Sequence, residues 1–224
     1  MKNRHLLLFF LGSFFSVSCQ NTTDNNKTEE IEKQTSITPV QTKIENGLSK
    51  AYFASGCFWC VEAIYESVYG VEEAISGYSG GHTEYPTYES TNTGTTGHAE
   101  AVEVIYDAKK VSFTSLVDVY FGSQNITQVN GQGPDRGSQY RSILFYQNEE
   151  QKQIIEEKIK SLNKQLGDKE VAAQLFPFEK FWIAEEYHQD YEKNNPNNPY
   201  IQNVSIPRLN RFKEKFPELL KENK

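Results

Sequence analysis

The chain has 224 residues, with 23 Lys and Arg against 30 Asp and Glu, a formal charge of −7 and a pI of about 5.3. This length suits one globular domain with extensions. The acidic balance, without any basic patch that could track phosphates, argues against nucleic acid as a partner.

In chain order, Lys2 and Arg4 open a basic start, and an apolar run over residues 6–15 follows, interrupted only by Gly12 and Ser13. The run is too short to cross a bilayer comfortably and has the form of a secretory signal. It ends at Ser16-Val17-Ser18-Cys19, which resembles a bacterial lipoprotein cleavage box. Residues 1–18 are therefore expected to be removed, leaving Cys19 acylated and the protein exported to the cell envelope on a lipid anchor. A cleaved signal and a soluble periplasmic protein are the alternative. The rest of residues 19–49 is rich in Thr, Asn, Glu and Lys and poor in large apolar side chains. Such a stretch buries too little surface to offset its ordering entropy, so a disordered tether is expected there. Thirty flexible residues span about 30 Å, enough to hold a domain off a membrane.

The domain is expected over residues 50–224. Residues 51–54 form a short apolar strand candidate, and from Cys57 the positions Val61, Ile64, Tyr65 and Val68 recur at helical spacing, with Gly70 suited to the C-cap. A Gly- and Tyr-rich stretch over residues 76–97 reads as a long functional loop. Residues 99–106 alternate as a strand, with Ala99, Ala101, Glu103 and Ile105 on one face and Glu100, Val102, Val104 and Tyr106 on the other. Ser112 caps a helix carrying Phe113, Leu116, Val117 and Tyr120. A second loop, residues 131–137, precedes a strand over 140–146. Residues 148–166 read as a helix, 171–173 as a strand, and 208–220 as a short basic helix within a mostly looped remainder. Strands and helices mix without strict alternation, which points to an α+β fold.

The chemistry concentrates at Cys57-Phe58-Trp59-Cys60, where a strand runs into a helix and two of the three cysteines stand three residues apart. Positions i and i+3 of a helix share a face, with Cβ atoms about 5–6 Å apart, close to disulfide range. At the helix start Cys57 faces unsatisfied N–H groups and the positive end of the dipole, both of which favour a thiolate. The two aromatic side chains between the cysteines supply an apolar wall.

Gly56-Cys57-Phe58-Trp59 resembles the signature of the peptide methionine sulfoxide reductases of the A type, which act on the S epimer. Pro86-Thr87-Tyr88, Thr96-Gly97-His98-Ala99-Glu100-Ala101-Val102, Asp135-Arg136-Gly137-Ser138-Gln139-Tyr140-Arg141-Ser142 and Glu186-Tyr187-His188-Gln189-Asp190-Tyr191 are similar to further blocks of that family, in order. The resemblance covers residues 50–216. It implies a ferredoxin-like core with long decorating loops, and reduction of protein-bound, and potentially free, methionine S-sulfoxide as a repair reaction. A thiolate that attacks a sulfoxide sulfur needs an acid beside the oxygen. Glu100, in the middle of an apolar run, suits that role, because burial raises a carboxyl pKa. Tyr88 and Tyr140, singled out by their motif positions, would donate to the developing oxyanion. Phe58 and Trp59 would hold the sulfoxide methyl group. The resemblance also places Asp135 at the site, while His98 and His188 read as structural.

After attack Cys57 would carry a sulfenic acid. Many relatives resolve it with a cysteine in a Gly-rich C-terminal tail. Residues 200–224 contain none, and Cys60 stands where a relative has glycine, so Cys60 is the expected resolving thiol. A thioredoxin-like dithiol would then regenerate the pair. No cofactor is called for, and a monomer is expected. A general thiol–disulfide oxidoreductase also uses CxxC at a helix start, but the surrounding thioredoxin-like pattern is absent. A zinc module would need two further ligands, for which the domain offers only His82, His98 and His188.

Overall fold

Alternating side chains along the central strands decide where the core lies. The structure, a computed structural model, describes residues 37–222. The leader, Cys19 and the tether up to residue 36 lie outside the described residues. The elements are β1 (Ser49–Ser55), α1 (Phe58–Glu66), β2 (Val71–Ser79), α2 (Tyr88–Asn92), β3 (Ala99–Tyr106), α3 (Phe113–Gly122), β4 (Gly131–Gln132), β5 (Asp135–Arg136), β6 (Ser142–Tyr146), α4 (Glu149–Leu166), β7 (Gln174–Pro177), β8 (Phe181–Ile183), α5 (Tyr191–Asn194) and α6 (Ile206–Lys215).

Six strands make one sheet in the order β7-β6-β1-β3-β2-β8. The β6–β7 pair is parallel and the others are antiparallel. Within it, β1-α1-β2-β3-α3-β6 with spatial order β6-β1-β3-β2 is the split βαβ arrangement of a ferredoxin-like core, as expected. Ala51, Phe53, Val102 and Val104 pack with α1 and α3, while Tyr52, Ala54, Ala99 and Ala101 pack with Ile143, Phe145 and Phe178 on the opposite face. Because side chains alternate along a strand, covering both faces buries nearly all of β3, including Glu100 on the helical side.

Several boundaries differ from the sequence expectations. Helix α1 ends at Glu66, where the Ser67 hydroxyl donates to Ile64 O at 2.7 Å, and Gly70 serves the turn into β2 with φ +86°. The supposed loop from residue 76 begins as the second half of β2. Gly77 is there for space: a Cβ would lie 2.3 Å from both Phe181 Cζ and Trp182 O of β8. The strand expected at 171–173 lies at Gln174–Pro177, where Leu175 pairs with Leu144. Residues 131–137 form a small β4–β5 hairpin, and Tyr140 closes a 3-10 turn (Ser138–Tyr140) before β6. The last helix stops at Lys215. Asn148 and Ser112 cap α4 and α3 as expected, accepting from Gln151 N and Ser115 N. The segment read as tether already touches the domain: Val40 N donates to Phe178 O, and Thr42 N and Oγ1 donate to Gln147 Oε1.

Candidate active site

The site forms where β1 ends. Gly56 turns the chain with φ +84°, and a Cβ there would lie 2.5 Å from Gln132 Cβ, so no other residue fits. Cys57 then occupies the N-cap of α1 without a side-chain cap bond. The cap comes instead from β3: Phe58 N donates to Glu100 Oε2 at 3.0 Å. A carboxyl is thus tied to the first turn of the helix, next to the first cysteine.

Glu100 is 2% exposed. Burial pushes its pKa up to about 8, assisted by the Asp135 and Cys60 charges and opposed by the Phe58 N–H. At neutral pH it is mostly a carboxylic acid. The sequence expectation of a buried proton donor therefore matches this geometry.

The two thiols are free and buried. Here one expectation is corrected. Burial pushes the Cys57 thiol well above its ordinary range, and Cys60 and Glu100 add to this. Cys60 is drawn down to about 6, first by its hydrogen bond with Cys57 and then by Arg208, Ser205 and Tyr200. Burial thus works against a Cys57 thiolate in the free protein, while the surroundings of Cys60, one turn into the helix, favour its ionised form.

Phe58 is fully buried against Tyr78, Tyr88 and His188, with ring centroids 5.8, 6.3 and 4.9 Å away. Trp59 is half-buried, stacked on Tyr191 at 3.8 Å, and its Nε1 donates to His188 Nδ1 at 3.1 Å. That bond fixes the indole, and His188 is buried and hydrogen-bonded inside the fold. His98 is likewise held inside the fold: its Nδ1 accepts from Gly81 N and its Nε2 bonds Thr83 O. Tyr88 and Tyr140 carry phenols whose pKa is raised chiefly by burial, and the fields of Glu100 and Cys57 reach both. The Tyr140 hydroxyl donates to Asn92 Oδ1 at 3.5 Å. Both phenols therefore keep their protons near neutral pH.

Asp135 is brought to the site, but with a protein partner: Tyr200 OH donates to its Oδ2 at 2.6 Å and lies 3.7 Å from Cys60 Sγ. Tyr200 and Arg208 are the two site residues that sequence reasoning missed. Arg208 is buried, its Nη1 and Nη2 donating to Ser55 O and Oγ and its Nε to Ser123 O. Its helix read only as a short basic one. The absence of acidic residues from that helix before Glu214 was the only available signal. A cleft of about 680 Å³ opens against Cys60 between Gln132, Asp135, Tyr200 and Arg208.

The raised Glu100 pKa has a measurable consequence. A carboxyl that titrates higher in the folded than in the unfolded state stabilises the fold fully below its unfolded pKa. That contribution is lost as pH rises toward about 8. Glu100→Gln keeps the acceptor for Phe58 N and removes the titration. The melting temperature of the variant relative to the parent should therefore climb steadily between pH 5 and pH 8; a constant difference would show that Glu100 ionises normally.

A buried neutral acid, two adjacent thiols sharing a proton, two phenolic donors and an aromatic wall can protonate an oxygen while a thiol attacks the sulfur that bears it. The chain matches the family model described as peptide methionine sulfoxide reductase over residues 49–220. It is 46% identical to the peptide methionine sulfoxide reductase MsrA of Pasteurella multocida, over 77% of this chain and 98% of that one. To the MsrA of Saccharolobus solfataricus it is 44% identical, over 76% and 96%. Among solved structures it is similar to methionine sulfoxide reductase A of Corynebacterium diphtheriae, with TM-score 0.61 and 32% identity over 68% of this chain and 77% of that one. The reduced form of Mxr1 from Saccharomyces cerevisiae gives TM-score 0.62 and 30% identity over 70% and 91%.

Proposed function

Because the chain belongs to the peptide methionine sulfoxide reductase family, A type, we propose that Cys57 attacks, Glu100 supplies a proton and Cys60 resolves. The protein is a peptide-methionine (S)-S-oxide reductase, converting methionine S-sulfoxide to methionine at the expense of thiols. The observation that carries the assignment of roles is the Glu100 carboxyl bonded to Phe58 N at the helix start, buried and protonated beside the thiol pair.

The substrate methyl group sits against Phe58 and Trp59, and its oxygen faces Glu100 and the phenols of Tyr88 and Tyr140. As the Cys57 sulfur forms its bond to the sulfoxide sulfur, its proton passes to the Cys60 thiolate. Glu100 protonates the oxygen. Transfer of that hydroxyl to Cys57 releases the sulfide and leaves a sulfenic acid. Cys60 then attacks the Cys57 sulfur, and water leaves as the disulfide forms. The two hydrogens of that water come from the Cys57 thiol and from Glu100, and the sulfoxide is reduced by two electrons as the thiol pair is oxidised. Asp135, held by Tyr200, orients the Cys60 side of the site.

A thioredoxin-like dithiol returns the two electrons, reaching the pair through the cleft against Cys60. A monomer suffices for this chemistry, since one chain supplies every residue assigned a role. With separated sulfoxide epimers of a blocked methionine and a dithiol reductant, the S epimer is expected to be consumed and the R epimer left. Equal consumption of both would overturn the assignment.

The basic start, the apolar run and Cys19 support export and a lipid anchor. In a bacterial host a fatty-acid analogue should label the protein, and Cys19→Ala should abolish labelling and move it to the soluble fraction. An unlabelled protein with unchanged fractionation would defeat the anchor and leave the enzyme untouched.

A further inference from the structure

Strand β8 is the last strand of the sheet on the side of β2, and its outer edge is open. Ala184 N donates to Ser76 O, so by the two-residue alternation of an antiparallel ladder Trp182 also faces β2. The N–H and C=O groups of Phe181 and Ile183 then point outward, and among the described residues none of them has a hydrogen-bond partner. Natural sheets blunt such edges with charges, proline or a covering segment. This one is short, with Lys180 over the Trp182 ring at 3.7 Å, yet it presents an apolar side chain, Ile183, 66% exposed.

Aromatic side chains flank that edge. Tyr85 is 76% exposed, packs edge-on to Trp182 at 4.8 Å, and holds this place with φ +49°. A bulky residue in that backbone region is strained, and strain of this kind persists where the surroundings impose it. Tyr187, 61% exposed, lies on His188 at 4.1 Å, and His188 in turn packs on Phe58 and Tyr88. Glu185 ties the regions together, accepting from Tyr88 N and from Tyr78 OH. Gln189 locks the end of the edge strand by bonding Ser76 N, Ser76 O and Ala184 O. A chain of contacts thus links the open edge to the aromatic wall of the site. The register sets the scale: Glu100, Tyr78 and Trp182 stand in one row across β3, β2 and β8. Three strand spacings place a strand added outside β8 roughly 14 Å from the Glu100 strand, about four residues of extended chain.

We propose that β8 is a docking edge for the substrate polypeptide: an extended segment beginning about four residues from the methionine sulfoxide adds as a further strand along Phe181–Ile183, its apolar side chains against Tyr85, Ile183 and Tyr187. Main-chain bonds supply affinity without demanding a sequence, which suits an enzyme whose targets differ. The favoured substrate is therefore a sulfoxide in an extended, unfolded segment. This inference rests on the reading of the catalytic site given above.

The test uses peptides carrying one methionine S-sulfoxide, lengthened one residue at a time on either side, with blocked methionine S-sulfoxide as the reference. For the unaltered enzyme kcat/KM should step up once one flank extends beyond about four residues. N-methylation of the backbone amides in that flank should lower it about 3- to 10-fold, the range for one or two lost hydrogen bonds. Ile183→Pro removes only an outward donor, a substitution edge strands tolerate. It should reproduce that loss on long peptides and leave the blocked amino acid unchanged. No length step, or equal rates for methylated and unmethylated peptides, would overturn the proposal without touching the enzymatic reading, which the reference substrate reports separately. A sedimentation change from dimer to monomer in Ile183→Pro, with peptide kinetics intact, would assign the edge to a second copy instead.

Discussion

Cys57→Ser is expected to form no sulfide at all, whereas Cys60→Ser forms about one per enzyme and then stops. A serine hydroxyl at position 57 is far too weak a nucleophile near neutral pH to replace the thiol. With Cys60 removed, attack on the sulfoxide remains possible. It should be slower below the raised Cys57 pKa, because the neighbouring thiolate that accepts the proton is gone. The product is trapped as a sulfenic acid that dimedone labels at Cys57. A protein dithiol should fail to restart this variant. A small thiol such as dithiothreitol enters the cleft and should restore partial turnover. The unaltered enzyme without reductant should finish with a Cys57–Cys60 disulfide. The chain has three cysteines, and the third is Cys19, so no other thiol of the domain can stand in. Normal cycling of Cys60→Ser with thioredoxin would show that Cys60 does not resolve the intermediate.

Glu100→Gln should slow sulfoxide reduction by about 10²–10⁴-fold, the usual contribution of a positioned acid, while substrate binding changes little. Glutamine keeps the acceptor for Phe58 N and the shape of the buried site, so the loss isolates the transferable proton. The pH dependence gives a second readout. The acid form is depleted as pH rises past about 8, so the parent enzyme should lose its first step there, and the variant should lack that limb. Single-turnover reduction by Glu100→Gln at the parent rate would remove Glu100 from the mechanism.

Much of this protein could be read from residue order, because the relevant geometry is local. The three-residue spacing of Cys57 and Cys60 and the aromatic pair between them depend only on helical period. The same holds for the caps at Ser112 and Asn148, and for the alternation that set Glu100 on the face of Val102 and Val104. Strand β2 escaped because Gly77 looks like a loop residue, yet its missing Cβ makes room for β8, a strand that itself has only three residues. Tyr200 and Arg208 escaped because nothing in their neighbourhood signals a site. Tyr200 meets Cys60 from 140 residues away, and Arg208 reaches Ser55 from 153. The charge on the thiol pair could not be read either. Helix position alone favours a thiolate on Cys57, but burial of that sulfur raises its pKa, while the hydrogen bond with Cys57 and the arrival of Arg208 lower that of Cys60. Chain order determines which groups can share a helical turn or a strand face. Where a proton rests depends on the solvent removed and the charges gathered around it, and only the packed tertiary structure decides that.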